Sequence, residues 1–242
     1  KPNASHLFGR RGTVVIVIVM AIFAATGAWA QMEDDDADWP DSPFGWLAGE
    51  PTPGHEPVGD PAALDGAAAE RIYRSILPRM QAGYARSGDP LAWAYVRWLR
   101  LNAVPYRSHR HGNVFVNNYV GPLAADSVLR GVSGALPPGS LPPGSLPPGS
   151  LPPGSLIVKD SFIVTEAGEI RAGPLAIMEK QSRGADPANG DWRYLVIEPD
   201  GALIGVSEDT RADPRTQPCA ACHNAAPAGQ DRLYLVPEQF RR

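Results

Sequence analysis

The chain has 242 residues, with 22 Lys and Arg against 26 Asp and Glu, and 43% of its residues are hydrophobic. That is enough apolar material for a core and too little charge for a wholly disordered chain. The net charge of -4 excludes the basic footprint of a nucleic-acid binder, and two cysteines in such a length exclude a disulfide scaffold.

Arg10-Arg11 precede an apolar run over 13–25, and Ala28-Trp29-Ala30 follow it. A basic start, an apolar middle and small residues at the end make a secretory signal cleaved after Ala30. The rival is an uncleaved anchor, since 13–30 just reaches the length of a spanning helix (about 17–25 residues). Arg10-Arg11 lack the flanking residues of a twin-arginine signal. Either way the expectation is a periplasmic protein, soluble or held to the membrane only at its start.

Residues 31–61 are acidic and rich in Pro and Gly, which predicts an irregular lead-in. Residues 62–104 are read as helical. Ile72, Tyr73, Ile76, Leu77, Met80 and Tyr84 recur at steps of three and four over 62–87, with Pro78 expected to kink or split the helix. Asp89-Pro90 opens a second helix with Leu91, Ala94, Tyr95, Trp98 and Leu101 as its stripe, stopping before Val104-Pro105.

After Pro105 the period becomes two. Residues 113–120, 156–164, 170–180, 192–198 and 202–206 read as strands, separated by short turns that favour antiparallel hairpins. Residues 124–130 predict a short helix. The predicted fold class is therefore α+β, an antiparallel meander with packed helices. Residues 136–155 are four copies of Leu-Pro-Pro-Gly-Ser. Such a segment can neither continue a helix nor donate to a sheet, and reads as an expanded surface loop.

Both cysteines lie in Cys219-Ala220-Ala221-Cys222-His223. Cys-x-x-Cys-His is the attachment signal of a c-type haem: two thiols bond the two porphyrin vinyl groups, and the adjacent His ligates the iron. Three rivals stand beside it. They are a redox dithiol, a zinc site joining Cys219 and Cys222 to His109 and His111, and a strained local disulfide. The dithiol lacks its βαβ context, and the histidine pair lacks finger spacing. Export and the absence of further cysteines agree with haem c. No Met follows residue 178 to serve as a sixth ligand, and the strand-rich 112–206 excludes a four-helix bundle.

A longer ordered series accompanies the haem motif. It comprises Pro105-Tyr106-Arg107-Ser108, His111-Gly112-Asn113, Val116-Asn117-Asn118-Tyr119, and Gly154-Ser155 through Lys159-Asp160-Ser161-Phe162. Gly173-Pro174-Leu175, Met178-Glu179-Lys180, Gly190-Asp191-Trp192-Arg193-Tyr194 and Asp231-Arg-Leu-Tyr continue it. In this series the chain, from about Pro105 to Arg242, resembles cytochrome P460 and its relatives, the β-sheet cytochromes c′. The three extra repeat copies and the acidic lead-in depart from that pattern. The resemblance implies an antiparallel sheet with packed helices, a homodimer and a haem iron open on one side. It implies either oxidation of hydroxylamine, with electrons passed to an acceptor cytochrome, or non-enzymatic binding of nitric oxide and similar ligands. It also implies that Lys159 is the position of a lysine bonded to the porphyrin edge.

Lys159 can be argued without the resemblance. A lysine within an apolar strand, on the face of Ile157 and Ile163, is costly to bury charged, so its pKa falls and its amine becomes nucleophilic. The plain alternative is an edge-strand lysine that blocks aggregation. Lys180 is the other option for a cross-link and reads as a surface or turn residue. His111 is either a sixth iron ligand or a histidine bonding backbone at a strand start. Glu208, Asp209, Arg211, Asp213 and Arg215 form a polar stretch from which a distal proton acceptor or anion stabiliser could come.

Overall fold

The computed structural model describes residues 49–133, 150–206 and 215–242. The signal or anchor at 1–30, most of the lead-in, nearly all of the first three repeat copies, and Glu208, Asp209, Arg211 and Asp213 lie outside those residues. Among the described residues no helix is long and apolar enough to cross a membrane.

The first helical pattern resolves into α1, Gly66–Tyr84, with a 3-10 turn over Ala85–Ser87. Asp65 caps it, its carboxylate accepting from the Ala68 amide at 2.7 Å. Pro78 lies inside α1 without splitting it. Its side is exposed, so solvent can reach the carbonyl that its missing N–H leaves without a partner.

The second helix is shorter than its spacing predicts. Asp89 Oδ1 does accept from the Leu91 amide at 2.8 Å. Yet α2 covers only Leu91–Ala94, and a 3-10 turn follows over Tyr95–Arg97. Trp98 is extended, and β1, Leu99–Arg100, pairs with the third strand. Arg100 bonds Glu70 of α1 at 2.8 Å. Strand pairing and a half-buried ion pair thus replace the last turns of the expected helix.

Then come β2 (Tyr106–Ser108), β3 (Val114–Val120), α3 (Pro122–Ser133) and β4 (Leu156–Val164). The expected strand over 170–180 is two strands, β5 (Ile170–Ala172) and β6 (Leu175–Lys180). They are followed by β7 (Trp192–Ile197), β8 (Leu203–Val206) and α4 (Gln217–Asn224). The eight-stranded antiparallel sheet runs β1-β3-β4-β6-β7-β8, with β2 also on β3 and β5 also on β4. The α+β expectation holds at this level.

The break at Gly173-Pro174 decides which side chains face which way. Phe162 pairs with Ala172 but Lys159 pairs with Ala176, so the register slips by one residue between β5 and β6. One extra residue swaps sheet faces. Ile170, Ala172, Leu175 and Ile177 all end up packed with α1, and Ala176, Met178 and Lys180 face the other side. Gly173 is required there, because a Cβ would lie 2.4 Å from Ser161 Oγ.

On the α1 face, Tyr73, Ile76, Met80 and Tyr84 pack with Tyr95 against Phe115, Tyr119, Val158 and Phe162. On the opposite face, Val120, Met178, Trp192 and Tyr194 pack with Ala124 and Val128 of α3, Ala220 of α4 and Leu233. Leu151 joins this second core at 5% exposure, and Ser155 is fully buried. The last repeat copy is therefore part of the packed structure rather than surface loop. Its Gly154 amide donates to the Lys180 carbonyl at 2.8 Å.

Candidate functional site

Cys219, Cys222 and His223 occupy positions i, i+3 and i+4 of α4, the spacing that puts three side chains on one helix face. That face borders a cleft on the α3 side of the sheet. Two cross-strand rows make the cleft floor: Asn118, Lys159, Ala176 and Val196, then Ile157, Met178 and Tyr194. Arg110 and His111, from the 3-10 turn His109–His111, and residues 233–236 complete its lining. The cleft holds about 1250 Å³ of atom-free space, counting the part open to solvent. Its floor is apolar apart from Asn118, Lys159 and the Tyr194 hydroxyl, which suits a large, mostly apolar group.

His223 Nδ1 lies 2.8 Å from the Arg232 carbonyl oxygen. A carbonyl only accepts, so Nδ1 carries a proton. Burial, and then the charge of Lys159, hold the His223 pKa down to about 4, so the ring is neutral at pH 7 and Nε2 keeps its lone pair. An imidazole whose second nitrogen is held by a backbone carbonyl is in the state that binds a metal. The rings of Tyr194 and Tyr234 flank it, each with its centroid 5.7 Å away. The Tyr234 hydroxyl donates to the Cys222 carbonyl at 3.0 Å, which ties the C-terminal segment to α4.

Both cysteines are free thiols. Burial pushes Cys219 up to about 11, the opposite of the low-pKa thiolate that a redox dithiol needs. His109 is exposed and outside the cleft, which removes it from the rival zinc set.

Lys159 is on the predicted face with Ile157, and its Nζ lies 2.9 Å from His111 Nε2 and 3.3 Å from Nδ1. His111 Nδ1 in turn lies 2.7 Å from Ser108 Oγ. Burial lowers the Lys159 pKa to about 8, although ionised Cys222 and Cys219 would raise it. Burial, then Lys159, His223 and Arg110, push His111 well below its usual value. A neutral imidazole donates at one nitrogen and accepts at the other, so His111 can pass a proton between Lys159 and Ser108. Lys159 sits in an inner strand, flanked by β3 and β6, which removes the edge-strand reading.

Of the residues singled out in the sequence, Lys159, Cys219, Cys222, His223 and His111 come together in this cleft. Lys180 does not join them. It is 6% exposed and paired with Asp231, so it is neither a surface nor a turn residue. Arg215 is exposed and does not line the cleft. Sequence reasoning passed over Asn118, Arg110 and Tyr194 as cleft residues. The period-two pattern puts Asn118 on the face of Val116 and Val120, but which face carries the cleft depends on α4, about a hundred residues later. No protein-family model matches the chain, and no curated protein matches it either.

Proposed function

We propose that this chain is an exported c-type haem protein, with Cys219 and Cys222 as thioether donors and His223 Nε2 as axial ligand to the iron. The supporting observation is the state of His223: a neutral ring, its Nδ1–H held by Arg232, on one helix face with two thiols beside a large apolar cleft. The residues present fit the group. Two free thiols three positions apart on one helix face are the groups that two thioether bonds need, and the apolar floor would pack against a flat ring.

When bound, haem would supply an iron at which a small nitrogen species such as hydroxylamine can bind and give up electrons. The chain's own residues supply the rest. Ile157, Ala176, Met178 and Val196 exclude water from the floor. Lys159 and His111 hold an exchangeable proton in the same cleft, 2.9 Å apart, and Ser108 extends that path. The Lys159 amine is also the group that could bond the porphyrin edge. Electrons would leave to an acceptor cytochrome, and the working unit would be a homodimer.

Two measurements test this reading. Haem-stained denaturing electrophoresis should show a covalent signal in wild type and none in Cys219→Ala/Cys222→Ala. Absence from fully matured wild type rejects the haem. Steady-state oxidation of hydroxylamine with an artificial acceptor then separates the two functions. A haem-loaded protein with no turnover that binds nitric oxide is a ligand-binding module instead.

A further inference from the structure

Four residues in three motifs of the sequence have no part in the chemistry just proposed: Lys180 of Met178-Glu179-Lys180, Gly190 and Trp192 of Gly190 through Tyr194, and Asp231 of Asp231-Arg-Leu-Tyr. They converge on one point. Lys180 ends β6, and its buried Nζ donates to Asp231 Oδ1 at 2.6 Å, to Oδ2 at 2.8 Å and to the Gly190 carbonyl at 2.8 Å. Trp192 lies opposite Lys180 in register, with its ring centroid 4.9 Å from that Nζ. Its indole N–H donates to the Asp231 main-chain carbonyl at 2.9 Å. The Leu151 amide donates to Asp231 Oδ2 at 2.7 Å. Asp231 is therefore gripped from β6, from β7 and from the last repeat copy.

What is gripped is an unfavourable turn. Asp231 and Arg232 have φ of 47° and 64°, two successive residues in the left-handed region that side chains disfavour. The Arg232 side chain lies over Gly190, where a Cβ would come 2.3 Å from its Nε, and its guanidinium bonds Asn224 at the end of α4. The residues of this turn do not select its conformation; their neighbours impose it. That conformation is what aims the Arg232 carbonyl at His223 Nδ1.

We infer that Lys180 and Asp231 form a buried clamp that holds the Asp231–Arg232 turn and, through the Arg232 carbonyl, fixes the tautomer and ring orientation of His223. Both are positioning residues. Their role toward iron rests on the proposed haem function; their role toward the His223 ring does not.

The test follows the Nδ1–H proton of His223 by NMR in the full chain labelled with ¹⁵N-histidine. The protein is used as isolated and, where the haem stain is positive, reduced and saturated with carbon monoxide. In wild type this proton should exchange slowly with solvent. Asp231→Asn keeps an acceptor but removes the charge. Lys180→Met/Asp231→Leu removes both charges and leaves no buried ion without its partner, so the fold should survive. In both variants exchange should quicken by about tenfold or more, the loss of roughly one hydrogen bond. In haem-loaded protein the iron–histidine stretching band should also fall and the reduction potential rise, because a less tightly held imidazole donates less to ferric iron. A double variant with a lowered melting temperature but unchanged exchange and unchanged band would overturn the clamp and leave only a stabilising ion pair. A haem-free wild type whose His223 proton still depends on Asp231 would uphold the clamp and reject the haem.

Discussion

Lys159 Nζ and His111 Nε2 meet at 2.9 Å inside the cleft, nitrogen to nitrogen. Two basic groups at that distance cannot both hold a full complement of protons. Burial lowers the lysine to about 8 and drives the histidine well down, so near neutrality the pair shares one proton that leaves the lysine far more readily than usual. Lys180 is placed differently, its buried Nζ bonded to both carboxylate oxygens of Asp231 and to the Gly190 carbonyl.

Reductive methylation at pH 8 should separate the two lysines. In Cys219→Ala/Cys222→Ala, Lys159 is expected to be methylated several-fold faster than Lys180, read by peptide mass, because its amine lines the open cleft with a lowered pKa while the Lys180 amine is buried among its three acceptors. In haem-loaded wild type, a Lys159–porphyrin bond would leave Lys159 unreactive and move the absorption far to the red of an ordinary c-type haem. Lys159→Arg would then return an ordinary spectrum. An ordinary wild-type spectrum together with a methylated Lys159 rejects the cross-link and favours ligand binding.

Gly83 bears on the seat of α1. A Cβ there would lie 1.9 Å from the Pro199 carbonyl oxygen, which is backbone and cannot swing aside. Gly83→Ala gains about 1 kcal/mol of helix propensity, but forcing α1 off the turn before β8 costs more. The expected outcome is a net loss of about 2 kcal/mol in urea unfolding. Arg79, on the exposed side of the same helix, is the control, and Arg79→Ala should stay within about 0.5 kcal/mol of wild type.

The repeat supplies a contrast between identical sequences. Leu151 is buried in the second core, and its truncation to Ala should cost about 2–4 kcal/mol. Leu141, the same position two copies earlier, belongs to a stretch read from sequence as solvated loop, so Leu141→Ala should change stability by less than about 0.5 kcal/mol. Deleting 136–150 should leave the fold and any haem loading intact, since loop-closure entropy varies only logarithmically with length and shifts stability by about 2 kcal/mol or less. Loss of soluble protein on that deletion would make the first three copies structural.

The contrast also marks where sequence reading stopped. Local signals were legible: a helix within 62–87, 156–164 as a strand with Lys159 on the face of Ile157, and Cys219, Cys222 and His223 as a set. The register slip at Gly173 was not, because the apolar pattern resumes directly after Gly173-Pro174, and the break depends on how that pair bonds Ser161 of β4. Nor was Lys180 legible as a clamp. Its partner lies 51 residues away, and a lysine next to a predicted turn looks solvated until that partner is known. The fourth repeat copy is identical in sequence to the others, so nothing within it marks Leu151 as a core residue.

Asp160 offers a pH test on the other face of the same strand. It is fully buried and accepts from Tyr73 at 2.6 Å, Tyr95 at 2.9 Å and Asn117 at 2.9 Å. Burial raises its pKa from 3.8 to about 6; the three donors oppose that rise and do not cancel it. The folded state thus binds this proton more tightly than the unfolded state. Stability from this group is full below about pH 4, falls as pH rises toward 6, and is lost above it, a change of about 3 kcal/mol. Other carboxylates run the opposite way: Glu70, its pKa lowered through Arg100 and Arg74 despite partial burial, loses its contribution as pH falls. The quantity to measure is therefore a difference. Wild type minus Asp160→Asn, from urea midpoints at pH 4, 5, 6 and 7, cancels every other titration, and Asn cannot ionise. The amide mismatches its donors by an amount that does not vary with pH, so only the slope matters. The difference should decline steadily across that range. A difference that stays flat would mean that Asp160 is ionised at pH 4 with the tyrosines supplying its full solvation, and that the buried cluster carries no proton.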